Sequence, residues 1–146
     1  MEFRYLSSKF YADYPSNKYP ELMHKEKRPY TQTIVALGNL KFAVPLRSNI
    51  PHDGNVLWTN KSCRCGLDFT KAVLILDEDY IGDTQVQIRQ DEYKKLLGKE
   101  HIVQQKMAKC IEDYKKAKKN IHKAHNRQYC SYSTLQYFEE YIYSEV

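Results

Sequence analysis

A long stretch of the chain, from Lys99 to Arg127, contains neither glycine nor proline and is amphipathic throughout. Its apolar residues recur at alternating spacings of four and three, the period at which side chains return to one face of an α-helix. They are Val103, Met107, Cys110, Tyr114, Ala117, Ile121 and Ala124. The pattern predicts one long helix whose apolar stripe is covered by a core from the rest of the chain.

The same segment holds most of the positive charge. From Lys94 to Arg127 the net charge is +8, whereas the whole chain of 146 residues carries +5. A solvated face that keeps the protein in solution is one interpretation. A surface that faces a polyanion is the other, because clustered lysines attract phosphate backbones by releasing counterions. The lysines that would form it are Lys115, Lys116, Lys118 and Lys119.

The N-terminal half favours β-structure. Residues 3–6 predict a first strand, and residues 33–37 and 40–44 predict a hairpin that turns at Gly38-Asn39. Pro45 is expected to end the regular pairing of the second hairpin strand. Residues 68–76 and 84–88 predict two further strands.

The C-terminal half favours helices. Residues 91–97 predict a short helix that Gly98 closes. The run from Ser133 to Gln136 has a capping-box pattern, and Leu135, Phe138 and Ile142 follow it at helical spacing. The sequence therefore predicts a single α+β domain over residues 1–146, with an antiparallel, barrel-like sheet first and helices later.

Several classes of protein are not expected. The longest aliphatic run, residues 72–76, is far shorter than the roughly 20 residues of a membrane-spanning helix. The first ten residues mix charged and apolar side chains, so we expect no signal peptide and a cytoplasmic location. Cys63 and Cys65 lack zinc-knuckle spacing. We expect reduced cysteines, no cofactor and no metal, with a weak metal site that includes His52 as the alternative.

Residues 45–52 concentrate groups that suit phosphate chemistry. Arg47 offers a fork of donors for phosphate oxygens, Ser48 a hydroxyl, and His52 a general acid or base. Cleavage of RNA by attack of the 2′-hydroxyl needs these functions: a proton removed, a charged phosphate stabilised, and a proton given to the 5′-oxygen. An ordinary polar turn is the alternative interpretation.

Blocks of sequence along most of the chain form a second pattern. They are Phe3 to Phe10, Arg28-Pro29-Tyr30, Leu40 to Ser48 with its ending Pro45-Leu46-Arg47-Ser48, Gly66 to Leu76, and Cys130 to Leu135. In content and order they resemble the ToxN/AbiQ family, the endoribonuclease toxins of type III toxin–antitoxin systems. The chain is most similar to the short CptN-type branch.

This resemblance implies a compact fold like that of the Kid/MazF toxins, with an antiparallel barrel-like core and added helices that include a long basic helix and a C-terminal helix. It implies metal-independent cleavage of cellular RNA that leaves 2′,3′-cyclic phosphate and 5′-hydroxyl ends, and a role in phage defence. It also implies an RNA antitoxin of repeated pseudoknots, which the toxin processes and then binds in a closed assembly. No membrane or DNA partner is expected.

Residue by residue, Ser48 matches the active-site serine of the family. Arg47 stands where threonine or serine is usual, and Ile50 stands where a lysine is usual. We predict that Arg47 and His52 supply the missing positive charge and the proton transfer.

Further residues are predicted to bind RNA. Arg28 is expected to hold phosphate. Tyr30 either stacks on a base or packs in the core. Lys9 and Lys71 either contact the RNA backbone or are solvated lysines, Lys71 lying on a strand.

Two other functions remain open. A non-catalytic RNA-binding protein needs only the basic helix and the 13 tyrosines. A structural protein would use the helix to pack against a partner.

Overall fold

The structure is a computed structural model that describes residues 1–25, 27–35 and 39–143. Within these residues, seven strands and five α-helices form an α+β fold, and no helix is long and apolar enough to cross a membrane. The strands are β1 Arg4–Leu6, β2 Tyr30–Val35, β3 Leu40–Arg47, β4 Val56–Asn60, β5 Cys65–Asp68, β6 Val73–Leu74 and β7 Ile81–Gln85. The helices are α1 Ser8–Asp13, α2 Gln90–Leu96, α3 Glu100–Lys119, α4 Ala124–Tyr132 and α5 Glu139–Ile142.

The strands form one open sheet in which every pairing is antiparallel. Its order is β4-β5-β3-β2-β1-β7, and β6 pairs with β3 beside this path. The predicted α+β class is confirmed. The predicted hairpin is confirmed as well: β2 and β3 pair from Tyr30 opposite Pro45 to Val35 opposite Leu40. Residues 36–38, which include part of the predicted turn, lie outside the described residues.

Pro45 does not end its strand. β3 continues to Arg47, but it leaves β2 after Pro45 and pairs instead with β5, with Leu46 opposite Leu67 and Arg47 opposite Gly66. Proline has no N–H to give to a ladder, so a point where a strand changes partners tolerates it better than a central position. The regular pairing with β2 therefore ends at Pro45 as expected, but the strand itself continues and carries Arg47 to β5.

The prediction of a single strand over residues 68–76 is wrong. β5 ends at Asp68, a 3-10 turn occupies Phe69–Lys71, and only Val73–Leu74 returns to the sheet. The cause is the Asp68 side chain, which accepts a hydrogen bond from the backbone N–H of Thr70 at 3.0 Å and so begins the turn. The last predicted strand is displaced to β7, and the first is confirmed as β1.

The long basic helix is interrupted. Helix α3 ends at Lys119, because the side-chain amide of Asn120 donates to the carbonyl of Lys116 and Arg127 donates to the carbonyls of Ile121 and His122. The stripe from Val103 to Ala117 is buried as predicted, whereas Ile121 is 41% exposed. Ala124 is exposed too and begins the separate helix α4.

The core lies between the sheet and the buried face of α3, and the C-terminal segment completes it. Leu135, Phe138 and Ile142 are fully buried, as their spacing predicted. The Ser133 hydroxyl caps a 3-10 turn, Thr134–Tyr137, that leads into α5. Helix α2 matches the short predicted helix, and Gly98 follows it at φ +74°, in the left-handed region.

The cysteines differ from expectation in one respect. Cys110 and Cys130 are buried free thiols, but Cys63 and Cys65 are joined by a disulfide. The expectation of reduced cysteines is therefore wrong for this pair.

Candidate active site and basic groove

The Asp68 carboxylate is the centre of a polar cluster at the end of β5. It is fully buried, and one of its oxygens accepts from Arg47 Nη1 at 2.8 Å and from His52 Nε2 at 3.1 Å. The other oxygen accepts from the hydroxyl of Thr70 at 2.6 Å. Arg47 arrives here because β3 pairs with β5 beyond Pro45. The structure thus brings together Arg47 and His52, two of the three predicted catalytic residues.

The charge of Asp68 follows from these contacts. Burial raises the pKa of the Asp68 carboxyl, but the hydrogen bonds from His52, Thr70 and Arg47 outweigh burial and hold the pKa below its ordinary value. Asp68 is therefore ionised at neutral pH. Its charge offsets that of the Arg47 guanidinium, whose pKa is raised because hydrogen bonds to Tyr132 and Asp68 outweigh the opposing effect of burial.

The cluster fixes the tautomer of His52. The hydroxyl hydrogen of Thr70 is directed to Asp68, so Thr70 Oγ1, 3.2 Å from His52 Nε2, acts as a second acceptor. Because both neighbours of Nε2 are acceptors, this nitrogen carries the hydrogen. The other ring nitrogen, Nδ1, has no hydrogen-bond partner among the described residues. The imidazole is partly exposed, with 24% of its side chain accessible.

Tyr132 covers the cluster from helix α4. Its hydroxyl accepts from Arg47 Nη1 at 3.1 Å, and its ring meets the His52 ring edge-to-face at a centroid distance of 5.3 Å. Tyr132 and His52 line one pocket of about 470 Å³ together with Thr70, His125 and Tyr129. An organic group of nucleotide size therefore has room beside His52.

Lys71 lies behind Tyr132 and is not a solvated strand lysine. Only 7% of its side chain is exposed, and its ammonium lies 3.6 Å from the centre of the Tyr132 ring. It donates to the carbonyls of Tyr132 at 2.7 Å and of Glu21 at 3.1 Å. Burial lowers the pKa of Lys71, and the Glu21 carboxylate opposes this effect. The geometry makes Lys71 a support for Tyr132 and gives it no open path to an RNA backbone.

Ser48 lies apart from this cluster. It is exposed at the end of β3, and within the described residues its hydroxyl has no hydrogen-bond partner. Among the described residues, Ser48 gives the Asp68 side chain no hydrogen bond, whereas Arg47, His52 and Thr70 do. It lines a second, basic groove of about 330 Å³. The basic side chains of this groove are Lys25, Lys27, Arg28, Arg47 and Arg89.

Arg28 lines the basic groove just before strand β2, and Tyr30 is the first residue of that strand. Arg28 Nη1 donates to the carbonyl of Leu46 at 3.2 Å, and burial lowers the pKa of its guanidinium. Tyr30 is 1% exposed, so core packing is its observed role and stacking on a base is not available to it. Burial also raises the pKa of the Tyr30 hydroxyl. The Nε atoms of Arg28 and Arg47 and the Tyr30 hydroxyl are buried without a partner among the described residues.

The remaining predicted contacts lie on the surface. Lys9 pairs with Asp77 at 2.5 Å, and Lys118 pairs with Glu139 at 3.2 Å. Lys115 lies 5.3 Å from the ring of Tyr143, and Lys116 and Lys119 are exposed.

Asp68, Thr70 and Tyr132 are the site residues that sequence analysis did not identify. The pair Asp68 and Thr70 has the spacing of a side-chain-capped turn, a local signal that marks the turn but not its role. Tyr132 contacts Arg47 across 85 positions of sequence, and no periodic pattern encodes such a contact.

Within the described part of the chain, no group of three or more His, Cys, Asp or Glu side chains could hold a metal ion. His52 contacts Asp68 and Thr70 rather than either Cys63 or Cys65. Comparison of the chain with protein-family models, with curated proteins and with solved structures gave no match.

Proposed function

We propose that this protein is an endoribonuclease that cleaves RNA by attack of the 2′-hydroxyl on the adjacent phosphate. The proposal rests on one observation: a buried carboxylate holds a histidine in one tautomer beside a pocket of nucleotide size, and the second ring nitrogen has no partner in the described part of the chain. The same logic, an acid that orients a histidine base, operates in hydrolases of unrelated folds.

His52 is the general base in this scheme. With Nε2–H donated to Asp68, the lone pair on Nδ1 accepts the proton of the 2′-hydroxyl. The 2′-oxygen then bonds to phosphorus as the bond from phosphorus to the 5′-oxygen breaks. The negative charge of Asp68 stabilises the imidazolium that forms.

Tyr132 is the general acid. Its hydroxyl accepts a hydrogen bond from Arg47 and has no acceptor of its own among the described residues, so its hydrogen is available to the leaving 5′-oxygen. The guanidinium of Arg47 offsets the negative charge left on the phenolic oxygen. The imidazolium of His52 loses its proton to solvent and the phenolate regains one, which restores both groups for the next cycle.

The basic groove holds the RNA chain on the far side of Arg47. Ser48, Arg28 and Arg47 line it, and the buried Nε atoms of the two arginines have no hydrogen-bond partner among the residues that the structure describes. Buried donors without partners are rare in folded proteins and each calls for an explanation. A phosphate seated in this groove would supply a negative charge to Arg28, which pairs with no carboxylate among the described residues, whereas Arg47 already pairs with Asp68. In this scheme Ser48 binds the neighbouring phosphate and takes no proton.

We further propose that the chain is a ToxN/AbiQ-type toxin of a type III system, with a barrel-like core similar to that of the Kid/MazF toxins. The antitoxin would then be a pseudoknot RNA that the toxin cleaves from a repeat and that inhibits it in a closed assembly. The ordered sequence blocks support this assignment. So does the exposure of Lys116 and Lys119 on α3, which leaves their charge available to a folded RNA.

The experiment compares the purified parent with His52→Ala, Tyr132→Phe and Ser48→Ala, and with His101→Ala as a control that alters an exposed histidine outside the site. We expect the parent and His101→Ala to leave 2′,3′-cyclic phosphate ends on RNA. We expect His52→Ala to lose at least about 100-fold in rate, the usual contribution of a general base.

In cells, the parent should arrest growth unless the RNA antitoxin is present, and His52→Ala should not. Equal cleavage by the parent, His52→Ala and Arg47→Ala would contradict the catalytic assignment. Binding of RNA by the parent without any cleavage would favour the non-catalytic RNA-binding protein instead.

A further inference from the structure

A second pocket adjoins the one beside His52. It lies at the corner between α3 and α4, has a volume of about 470 Å³, and has Lys116, Asn120 and Lys123 in its lining. His125 and Tyr129 line both pockets. The two cavities therefore lie on either side of the same two residues, and a chain that occupies one can continue into the other.

The corner pocket separates the lysines of α3 into two groups. Lys116 lies on the same helical face as Ala117 and Asn120 and lines the pocket. Lys118, by contrast, pairs with Glu139, and Lys119 is exposed without lining the pocket. Only part of the basic surface is thus shaped as a site.

The chemistry of the corner pocket is that of an anion site. Lys116 and Lys123 bring two positive charges. Asp113 also lines the pocket, but its carboxylate already accepts from Lys109 at 2.7 Å and from the Asn55 amide at 3.2 Å. Two cations therefore face one carboxylate that is already paired.

The pocket is also held in shape before any ligand binds. Arg127 donates to the carbonyls of Ile121 and His122 at 3.1 and 2.8 Å, and the amide of Asn126 donates to the carbonyl of Asn120 at 2.9 Å. These bonds fix the turn that presents Lys123. Among the described residues no side chain caps the first turn of α4, which begins at the pocket, so the positive end of this helix adds to the attraction for a phosphate.

We propose that the corner pocket binds the phosphate of a nucleotide that flanks the cleavage site, with Tyr129 and His125 between that nucleotide and the reacting one. This inference rests on the proposed function and specifies its substrate: a single RNA strand that extends past the reacting nucleotide toward the corner between α3 and α4. Base stacking on the shared aromatic wall would make this contact tolerant of sequence.

The experiment measures binding of oligoadenylates from two to eight nucleotides long, with 2′-O-methyl riboses so that no cleavage occurs. Three proteins are compared: the parent, the double variant Lys116→Gln/Lys123→Gln, and the control Lys95→Gln, which alters an exposed lysine of α2 outside the lining of the corner pocket. The affinity of the oligoadenylates for the parent protein should rise with oligomer length, because longer strands reach the corner pocket.

For the octamer we expect the double variant to lose about fivefold or more in affinity, with a salt dependence flatter by about 0.7 for each lost phosphate contact. For the dinucleotide, the affinities of all three proteins should agree within about twofold. The control should stay within about twofold of the parent at every length.

The inference is overturned if the double variant binds the octamer like the parent, or if Lys95→Gln loses as much affinity as the double variant. Because the oligomers are not cleaved, these outcomes do not depend on catalysis. A parent that binds as expected but never cleaves RNA contradicts the proposed ribonuclease and leaves the corner pocket as an RNA site. If the parent cleaves RNA but the double variant binds the octamer normally, the proposed ribonuclease is supported and the corner pocket as an RNA site is contradicted.

Discussion

The Asp68 carboxylate balances two basic side chains, Arg47 and His52, from a position that solvent does not reach. Burying a charge costs several kcal/mol, and only close partners with good hydrogen bonds offset that cost. Asp68 therefore positions the site and does not itself touch the substrate in the proposed scheme. Its removal should affect both folding stability and cleavage.

We predict that Asp68→Asn destabilises the protein by about 3 kcal/mol at neutral pH, since it leaves the largely buried Arg47 guanidinium facing a neutral amide. The folded-state pKa of Asp68 is depressed, so its contribution is full above the unfolded-state pKa near 3.9 and is lost as the pH falls through the folded value. Urea unfolding of parent and variant at pH 7 and at low pH measures this difference. Asp79→Asn, at an exposed carboxylate, is the control. An equally large difference in the free energy of unfolding between parent and variant at low pH would argue against the prediction.

The hydroxyl of Tyr132 provides a second test at this scale. Tyr132→Phe keeps the ring against His52 and above Lys71 and removes only the oxygen that Arg47 contacts. We expect a fall in cleavage rate of about 100-fold or more with little change in the KM for RNA, because in the proposed scheme the hydroxyl acts in the transition state, and the ring remains in the variant. A raised KM at an unchanged kcat would assign Tyr132 to binding instead.

At the scale of elements, the break between α3 and α4 departs most from the sequence pattern. The apolar spacing continues through Ile121 and Ala124, but Asn120 and Arg127 supply side-chain hydrogen bonds that satisfy carbonyls of the turn. Hydrophobic periodicity indicates only which face of a helix each residue occupies. It does not reveal side-chain hydrogen bonds to the backbone that end a helix. The break turns one straight helix into a corner, and the corner carries the second pocket.

We predict that Arg127→Gln loosens this turn without unfolding the helices. Amide hydrogen exchange at residues 120–126 should accelerate, while exchange at Val103 to Ala117 on the buried face of α3 stays at the parent rate. Exchange followed by mass spectrometry resolves the two segments. Arg89→Gln, which breaks an exposed pair with Asp91, is the matched control. Unaltered exchange at the turn would show that Arg127 does not hold it.

For the molecule as a whole, the sequence predicted local elements far better than the site. The hairpin, the capped C-terminal turn and the buried stripe of α3 each follow from residues close together in the chain. The partners of Arg47 lie 21 and 85 positions away, at Asp68 and Tyr132. Only the path of the chain through the sheet brings these side chains to one point. Pro45 illustrates the difference: its local effect was foreseen, but the change of partner that it accompanies was not.

The reactivity of Cys110 indicates whether α3 and α4 stay packed together in the folded protein. Its thiol is fully buried against α4, and burial raises its pKa to about 12. We expect no alkylation of Cys110 in the native state at pH 8, and labelling that rises with urea in step with global unfolding. Mass spectrometry of peptides that contain Cys110 measures it. Rapid labelling without denaturant would indicate that α3 and α4 separate locally.

The contact between Arg47 and Tyr132 also orders events during synthesis of the protein. A ribosome makes the sheet first, and growing chains fold from the N-terminal side at roughly 5–20 residues per second. Until residue 132 has been translated and packed, His52 and Arg47 have no tyrosine above them. In the proposed scheme, a nascent chain therefore carries the general base without the general acid. If the protein cuts RNA as proposed, the growing chain is unable to cleave its own messenger RNA for most of the time that its synthesis takes.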